Sequence, residues 1–553
     1  MKKTFIPLIG LLTITLLSCS HMKKKADIII HSTRIYSLDS NFTIYEALAV
    51  KDGKIAGLGT TKDIFDEFSA PVVYNALGRT LYPGFIDGHC HFYGYGAGLL
   101  RNADLVGTES YEEILGILKE HHERHDSEWI LGRGWDQNDW LVKEFPDKKE
   151  LDELFPENPV VLTRIDGHAV LANSLALKKA GISKDSEIEG GEVLLDGSGE
   201  PTGILIDNAA DLIKDQIPEL TEDEKVQALE EAEKNCFAAG LTSVVDAGLD
   251  KETVLLIDSL HKQGRLKMKI NCMLSPTEDN YEHFIKNGPY MTDRLTVRSV
   301  KLYADGALGS RGALMLEPYS DDPGNYGLLI KKPDYYRGWA QKAYDNNYQV
   351  CTHTIGDSAA RFVLDIYGEY LQENSDKRWR IEHAQIIHPE DMHKFGKYSV
   401  IASVQGTHAT SDMYWAEDRL GPERIRWAYA FRELLKENAW IVNGTDFPIE
   451  EISPLLTFYA TVVRKDLEGY PQGGFLIENA LNREQALRSI TIWAAKGSFE
   501  EDMKGSLETG KIADFVVLDK DLMIIEDNEL PATKVVRTYS SGEMVYRNPE
   551  FSF

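Results

Sequence analysis

The sequence has few cysteines, fewer basic than acidic residues, and no membrane-spanning apolar run beyond its first segment. Its five cysteines show no disulfide-type spacing, so we expect no disulfide framework. The formal net charge of -28 argues against nucleic acid and anionic membranes as ligands, because both carry the same sign. Low-complexity tracts and internal repeats are also absent.

What is present is typical of a large globular protein. Hydrophobic residues make up 43% of the chain and charged residues 27%, which predicts a substantial core. The length would suggest several domains, but elaborated barrels of this size fold as one unit.

The first nineteen residues resemble a bacterial lipoprotein signal. Lys2 and Lys3 give a charged start, a short apolar core follows, and Leu-Leu-Ser-Cys at 16–19 resembles a lipobox. We predict a signal peptide over 1–19, lipidation at Cys19, and a polar tether over 20–25. The protein would then be lipid-anchored in the bacterial cell envelope, on the periplasmic or extracellular face. The alternative is an ordinary secretory signal with a coincidental cysteine.

Short β signals occupy both ends of the chain and flank a long middle in which strand and helix patterns alternate. Residues 26–81 contain ADIII and ALAVKDGKIAGLG, and residues 498–553 contain ADFVVLD and VVRTYSSGEMVYR. We predict that the two ends form one composite β-sandwich domain. The middle, 82–497, predicts an α/β fold, a (β/α)₈ TIM barrel, with an insertion around 124–220.

Two histidines separated by one residue end the apolar run FIDGHCH at 85–91. In an extended strand, residues i and i+2 point to the same side, so His89 and His91 can face one ion. Cys90 alternates with them and is expected to point away. Such a pair also occurs by coincidence on loops, so the metal-site interpretation depends on the remaining strand ends.

Chemistry in a barrel gathers at the carboxyl ends of the strands, and four further polar residues follow apolar runs there. They are Lys301 in SVKLYADG, His353 in YQVCTHTIGD, His383 in WRIEHAQ and Asp446 in AWIVNGTDFPI. Each alone could be a hydrogen-bonded core residue or a cap, and Lys301 could pair with Asp305 instead. Their order on successive strands favours a metal centre.

The strings DGHAVLANSLAL, KLYADGALGSRGA, RIEHAQ and GTDFPI resemble the amidohydrolase superfamily, in particular amidohydrolase family 3 and its N-substituted formamide deformylase-like branch. The resemblance covers nearly the whole chain after residue 25. It implies six metal ligands: His89, His91, Lys301, His353, His383 and Asp446. The first two histidines and Asp446 would hold the more buried ion, the other two histidines a second ion, and N-carboxylated Lys301 would bridge them.

Imidazole and carboxylate ligands suit Zn²⁺, with Fe, Mn or Co as alternatives, and one or two ions remain open. Bound metal generates hydroxide near neutral pH, and we predict that Asp446 takes the proton and delivers it to the leaving nitrogen. Glu382 and His168 are alternative bases. In related barrels the positions of His168 and Arg311 face the substrate, so both are predicted to bind it. His408 is a further candidate for the pocket wall.

We therefore predict a metal-dependent hydrolase of carbon–nitrogen bonds outside peptides, acting on N-substituted formamides or other amides through metal-activated hydroxide. An ester or lactone hydrolase and a deaminase are alternatives, because the same ligands serve them. A non-catalytic lipid-anchored binding protein is disfavoured, since it would not need all six ligands. The expected partner is a small molecule, without nucleic acid and with membrane contact through the lipid only, and the oligomeric state stays open.

Overall fold

The computed structural model describes residues 22–125 and 127–551. The predicted signal peptide and Cys19 lie outside these ranges. Among the helices within them, none combines the length and apolar character needed to cross a bilayer. The short strand Lys24–Lys25 pairs with Phe68–Ser69, so this part of the predicted tether is attached to the folded protein.

Eight parallel strands in the described part of the chain form a nearly closed barrel, which confirms the predicted fold class. Almost every residue of these strands is buried, because side chains on one face fill the barrel and those on the other lie under helices. A two-residue strand, Tyr290–Met291, pairs with the start of the fourth. In chain order the barrel strands are Phe85–Cys90, Leu241–Leu249, Lys269–Leu274, Leu295–Tyr303, Gln349–Thr354, Arg380–His383, Ile401–Gln405 and Val442–Gly444.

The first and eighth strands approach each other closely, and each has a glycine where they meet. A Cβ on Gly88 would lie 2.3 Å from Cγ1 of Val442, and one on Gly444 would lie 2.4 Å from the backbone nitrogen of His89. The carboxylate of Asp87 also accepts the hydroxyl of Thr445 at 2.7 Å. Glycine at both positions therefore lets the barrel close beside the predicted ligands.

Helices connect the strands and bury one face against the barrel. One begins with the predicted capping box, in which Thr221 and Glu224 satisfy each other's backbone N–H groups. The helices of the barrel are Glu222–Ala238, Lys251–Gln263, Glu278–His283, Pro333–Asp345, Asp357–Tyr370, Pro389–Tyr398, His408–Ser411, Ala416–Arg424, Phe431–Asn438, Pro454–Val463, Arg483–Ser489 and Ile492–Gly497. Short 3₁₀ helices lie at Ile285–Asn287, Asp412–Tyr414, Ile425–Trp427 and Ile477–Asn479.

A separate mixed sheet, which we call the inserted sheet, lies between the first and second barrel strands. Its strands, in spatial order, are Asn102–Asp104, Ile130–Trp135, Val160–Arg164, Ala169–Ala172, Pro201–Asp207 and Gly191–Leu195. The same part of the chain contains five helices and one 3₁₀ helix. They are Phe92–Arg101, Tyr111–Arg124, Lys149–Leu154, Ser174–Lys179 and Asn208–Lys214, with the 3₁₀ helix Gln137–Asp139. The predicted insertion, 124–220, starts too late, because a capped amphipathic helix at 111–124 resembles a barrel helix in sequence.

Both ends of the chain build a pair of sheets, as predicted. One sheet contains Lys54–Gly59, Ala47–Lys51, Ile28–His31 and Val72–Asn75, with helix Thr61–Glu67 beside it. The other contains Glu543–Arg547, Val535–Ser540, Phe515–Leu518, Thr80–Pro83, Arg34–Tyr36 and Ile44–Tyr45. A 3₁₀ helix, Asp527–Ala532, lies between the strands Phe515–Leu518 and Val535–Ser540 in the chain. Apolar side chains of both sheets share one core.

A buried ion pair connects the barrel to this sandwich. Lys269, the first residue of the third barrel strand, donates to Asp514 at 2.8 Å and to Ser540 at 2.9 Å. All three side chains are buried, so the attraction is weakly screened. The sandwich is therefore fixed at the amino ends of the strands, opposite the predicted ligands.

Candidate metal centre and active site

The predicted ligands come together at the carboxyl ends of the barrel strands. His89 belongs to the first strand, Lys301 to the fourth and His353 to the fifth, whereas His383 ends the sixth. His91 directly follows the first strand, and Asp446 lies two residues beyond the end of the eighth. Because the seam between those two strands is so narrow, both flanking ligands reach the same space.

Three of these side chains converge closely enough to hold one metal ion. One ligand atom from each of His89, His383 and Asp446 lies within 4.8 Å of the other two. Oδ1 of Asp446 is buried and makes no hydrogen bond within the described residues, although Nε2 of His91 is 3.3 Å away and Nε2 of His89 is 3.6 Å away. A desolvated carboxylate oxygen facing imidazole nitrogens fits a divalent cation.

Three ligand histidines are oriented through Nδ1 by a hydrogen-bond acceptor. The acceptors are Glu382 Oε2 for His89 at 2.5 Å, the Ala247 carbonyl for His91 at 3.1 Å, and Gln405 Oε1 for His383 at 2.7 Å. Each Nδ1 therefore carries the hydrogen, and each Nε2 keeps the lone pair that a metal needs. Burial and the nearby Lys301 lower the pKa of His89 to about 4, which keeps its ring neutral.

Glu382 is itself fixed by Arg380. The guanidinium Nε lies 2.6 Å from Oε1 of Glu382, and Nη2 donates to the Gly88 carbonyl at 2.7 Å. Burial would raise the pKa of Glu382, but Arg380 and His89 hold it well below its ordinary range. Glu382 thus orients His89, and it is a poor candidate for the alternative base.

Lys301 points at the metal side of His89. Its Nζ lies 3.0 Å from His89 Nε2, and burial lowers the pKa of the lysine to about 8. The alternative ion pair with Asp305 is not formed, because that carboxylate instead accepts the backbone N–H groups of Leu314, Ile355 and Gly356. Within the described residues no carboxylate pairs with this ammonium, so its burial is not explained by a salt bridge.

His353 lies between His383 and His168, with ring centres 4.4 Å and 4.8 Å away. Its Nε2 faces the Gly306 carbonyl at 3.4 Å, which leaves Nδ1 as its ligand atom. His168 faces the cavity, and its Nδ1 lies 2.7 Å from Asp207 Oδ1. Burial lowers the pKa of His168, but Asp207 outweighs it and raises the pKa overall.

Arg311 does not reach this site, which corrects the prediction that it binds substrate. Its guanidinium pairs with Asp321 at 2.8 Å, in a separate pocket that also contains Arg419. Arg311 has a φ of 62°, in a glycine-rich loop beyond the strand end. The expectation that polar side chains at strand ends face the active site does not determine the direction of a side chain in such a loop.

A cavity of about 620 Å³ opens onto the ligands, and a second of about 530 Å³ shares His91, Arg133, His168 and Tyr303 with it. His408 also lines the first cavity, where its Nε2 lies 3.9 Å from Asp446 Oδ2. The two cavities therefore adjoin at the residues that they share.

Sequence reasoning missed Arg133, Asp207 and Gln405. Asp207 ends an apolar strand, as Asp446 nearly does, but that strand belongs to the inserted sheet and not to the barrel whose strand ends were expected to carry the chemistry. Arg133 is the one charged residue in ILGRGW, which could have marked it. Gln405 ends ASVQ, and an amide at an inward strand end was a usable signal as well.

The barrel and the cluster of histidine and carboxylate ligands define a metal-dependent hydrolase. The chain belongs to the amidohydrolase family, whose family model matches residues 72–546. It is 33% identical to "Protein LONG AFTER FAR-RED 3" of Arabidopsis thaliana, over 94% of this chain and 92% of the relative. It is 31% identical to "Putative amidohydrolase YtcJ" of Bacillus subtilis, over 93% and 98%.

The N-substituted formamide deformylase of Arthrobacter pascens is 25% identical, over 95% of this chain and 99% of that enzyme. The crystal structure of an uncharacterized metal-dependent hydrolase from Pyrococcus horikoshii superposes with a TM-score of 0.73 at 28% identity, covering 90% of this chain and 99% of that one. These findings confirm the prediction of a metal-dependent hydrolase acting on carbon–nitrogen bonds.

The orientation of His383 by Gln405 can be tested with Gln405→Met, which removes the acceptor and keeps the side-chain length. We expect metal affinity to fall about 10- to 100-fold, because the Nδ1 proton loses its partner. Competition with a chelator measures the affinity. Gln349→Met is the matched control, since Gln349 is a buried glutamine at the opposite end of the barrel that donates to the Gly497 carbonyl at 2.9 Å. An unchanged affinity in Gln405→Met would contradict this role.

Proposed function

We propose that the protein hydrolyses small amides, with N-substituted formamides as the first candidates. The observation that carries this is the convergence of unprotonated imidazole nitrogens on a buried carboxylate oxygen at the mouth of a cavity. The similarity to a formamide deformylase over nearly the whole chain supports this substrate class. The open cavity suits a small molecule.

The donor set that supports metal binding consists of His89, His383 and Asp446, with His91, His353 and Lys301 as the remaining ligands of a two-ion arrangement. Neutral imidazoles and a carboxylate favour Zn²⁺, with Fe, Mn or Co as alternatives. Such an ion supplies a Lewis acid that acidifies water and polarises a carbonyl group.

Two residues of the chain, Asp446 and His168, carry out proton transfer and substrate positioning. Asp446 ends in a buried carboxylate whose Oδ1 makes no hydrogen bond within the described residues, so it is available to accept a proton from the attacking water. Asp446 next returns that proton to the leaving nitrogen. His168, held by Asp207, faces the cavity and positions the substrate through Nε2.

Asp446→Asn tests the proton transfer. The amide keeps the shape and one coordinating oxygen but cannot accept a proton at neutral pH, so we expect kcat to fall at least about 10²- to 10⁴-fold while metal remains bound. Metal content and turnover of a good formamide, measured on one sample, check this. A metal-loaded variant with near wild-type turnover would place the base elsewhere, with His168 next to be examined.

We also propose that Lys301 is N-carboxylated in the metal-loaded enzyme. Its uncharged amine attacks carbon dioxide, one N–C bond forms as one C–O π bond opens, and one proton is released, so a neutral amine near the ligand atoms becomes an anionic oxygen donor. The 3.0 Å approach of Nζ to His89 Nε2 supports this, since a cation there would compete with the metal.

Carboxylation predicts that metal-loaded enzyme prepared in ¹³C-bicarbonate carries a carbamate resonance in its ¹³C NMR spectrum. Lys301→Ala should lack the resonance, and it should lose metal as well, because one ligand is missing. Lys269→Met is a control for a buried lysine outside the site. A wild-type spectrum without a carbamate signal at full metal content would refute the proposal.

For the location of the protein, we propose lipidation at Cys19 and anchoring in the bacterial cell envelope. The support is the charged start and the lipobox-like Leu-Leu-Ser-Cys at 16–19. Mass spectrometry of the N-terminal peptide from membranes should give a diacylated or triacylated cysteine, and Cys19→Ser should release the protein from membranes. An unmodified N-terminus in a membrane-free extract would exclude the anchor.

A further inference from the structure

Arg133 brings a positive charge to the reaction centre, where the carboxylates of Asp446 and Asp166 attract it without forming an ion pair with it. It lies on the strand Ile130–Trp135 of the inserted sheet and is half-buried. Nη2 donates to the Ile165 carbonyl at 3.3 Å, and Nε has no hydrogen-bond partner. Within the described residues, no carboxylate lies within ion-pair distance of its guanidinium. A partly desolvated charge without a counter-ion is costly, so its retention needs a reason.

Arg164, the other arginine of the cavity wall, shows the contrast. Its guanidinium pairs with Asp136 and, at 2.7 Å, with Asp166, and its Nε donates to Gln137 at 2.9 Å. All of its nitrogens are therefore used. Because Asp166 is committed to Arg164, it does not serve as a close partner of Arg133.

The position of Arg133 is suited to contact with a bound substrate. Its side chain lines both cavities, together with His91, His168 and Tyr303, so it lies where the two meet. The sheet register shifts between Arg133 and Trp135, and Gly134 has a φ of 113°. A Cβ on Gly134 would lie 2.5 Å from Cγ2 of Val106, so only glycine fits this bulge. Bulges commonly redirect a side chain next to an active site.

The guanidinium of Arg133 also fits an anionic group of a substrate. Its planar N–H groups include one, on Nε, that makes no hydrogen bond, and such a planar set of donors matches the two oxygens of a carboxylate.

We propose that Arg133 binds a carboxylate of the substrate, so the preferred substrates are amides that carry a carboxylate beside the scissile bond, such as N-formyl amino acids. This inference rests on the proposed function, since it specifies the substrate of the same site. Arg133 acts in binding and takes no part in the proton transfer.

A matched pair of compounds tests the proposal with the metal-loaded enzyme. N-Formylphenylalanine and N-(2-phenylethyl)formamide differ only by the carboxylate. We expect wild-type enzyme to show a kcat/KM at least tenfold higher for the acid. A charged hydrogen-bonding pair is worth about a 10- to 100-fold difference in affinity. A preference for the neutral compound would overturn the proposal.

Variants of Arg133 distinguish recognition of the substrate carboxylate from a purely structural role of this residue. In Arg133→Met, kcat/KM for the acid should fall about 10- to 100-fold, mainly through KM, while the neutral compound stays within about threefold of wild type. Arg133→Lys should recover part of the loss, because it keeps the charge without the planar fork. Arg311→Met, the control, removes an arginine that pairs with Asp321 outside the cavities and should change neither value. An equal loss for both compounds in Arg133→Met would show that Arg133 supports the inserted sheet only.

Binding of a non-hydrolysable compound distinguishes failure of this inference from failure of the proposed function. Calorimetry with 3-phenylpropanoate should show binding to the metal-loaded wild type that weakens at least tenfold in Arg133→Met. Wild type and Arg133→Met share any contact between the carboxylate of 3-phenylpropanoate and the metal. The difference between their affinities therefore measures the contribution of the Arg133 guanidinium. If neither formamide is hydrolysed but this difference appears, the proposed function fails and the carboxylate site stands. Equal binding to both proteins would overturn the site.

Discussion

The close approach of the first and eighth barrel strands is the constraint on which the site depends. Because Gly88 and Gly444 carry no side chain, the strands meet and the backbone N–H of Asp446 donates to the carbonyl of His89 at 2.8 Å. This contact ties together two ligands that are far apart in sequence. A larger residue at either glycine would separate the strands and move His89 away from Asp446.

The barrel and the inserted sheet contribute different kinds of residues. Barrel strands and the residues directly after them supply the ligand histidines, and barrel strands also supply the groups that accept hydrogen bonds from His89, His91 and His383. The inserted sheet supplies Asp207 and Arg133, and His168 follows one of its strands, so it forms one wall of the cavities. The proposed metal chemistry and the proposed substrate selection would then be located on separate elements of the chain.

Much of the barrel site could be predicted from the sequence, because inward strand ends are marked by polar residues after buried apolar runs. His89 and Asp446 are examples, since alternation and a following turn fix their direction. Arg311 could not be placed in this way, because a left-handed loop residue has no periodic pattern to orient it. The start of the inserted sheet was missed for another reason: helices packed on a barrel and on a flat sheet show the same amphipathic period.

The composite sandwich imposes an order on the assembly of the chain. The strand Thr80–Pro83 pairs in parallel with Arg34–Tyr36 and antiparallel with Phe515–Leu518, so it is an interior strand of its sheet. During synthesis, its second partner emerges only after the entire barrel has been made. Until then, the early segment presents an open apolar edge on which foreign strands can pair. A chain released before Phe515 would keep that edge permanently, however well its barrel had folded.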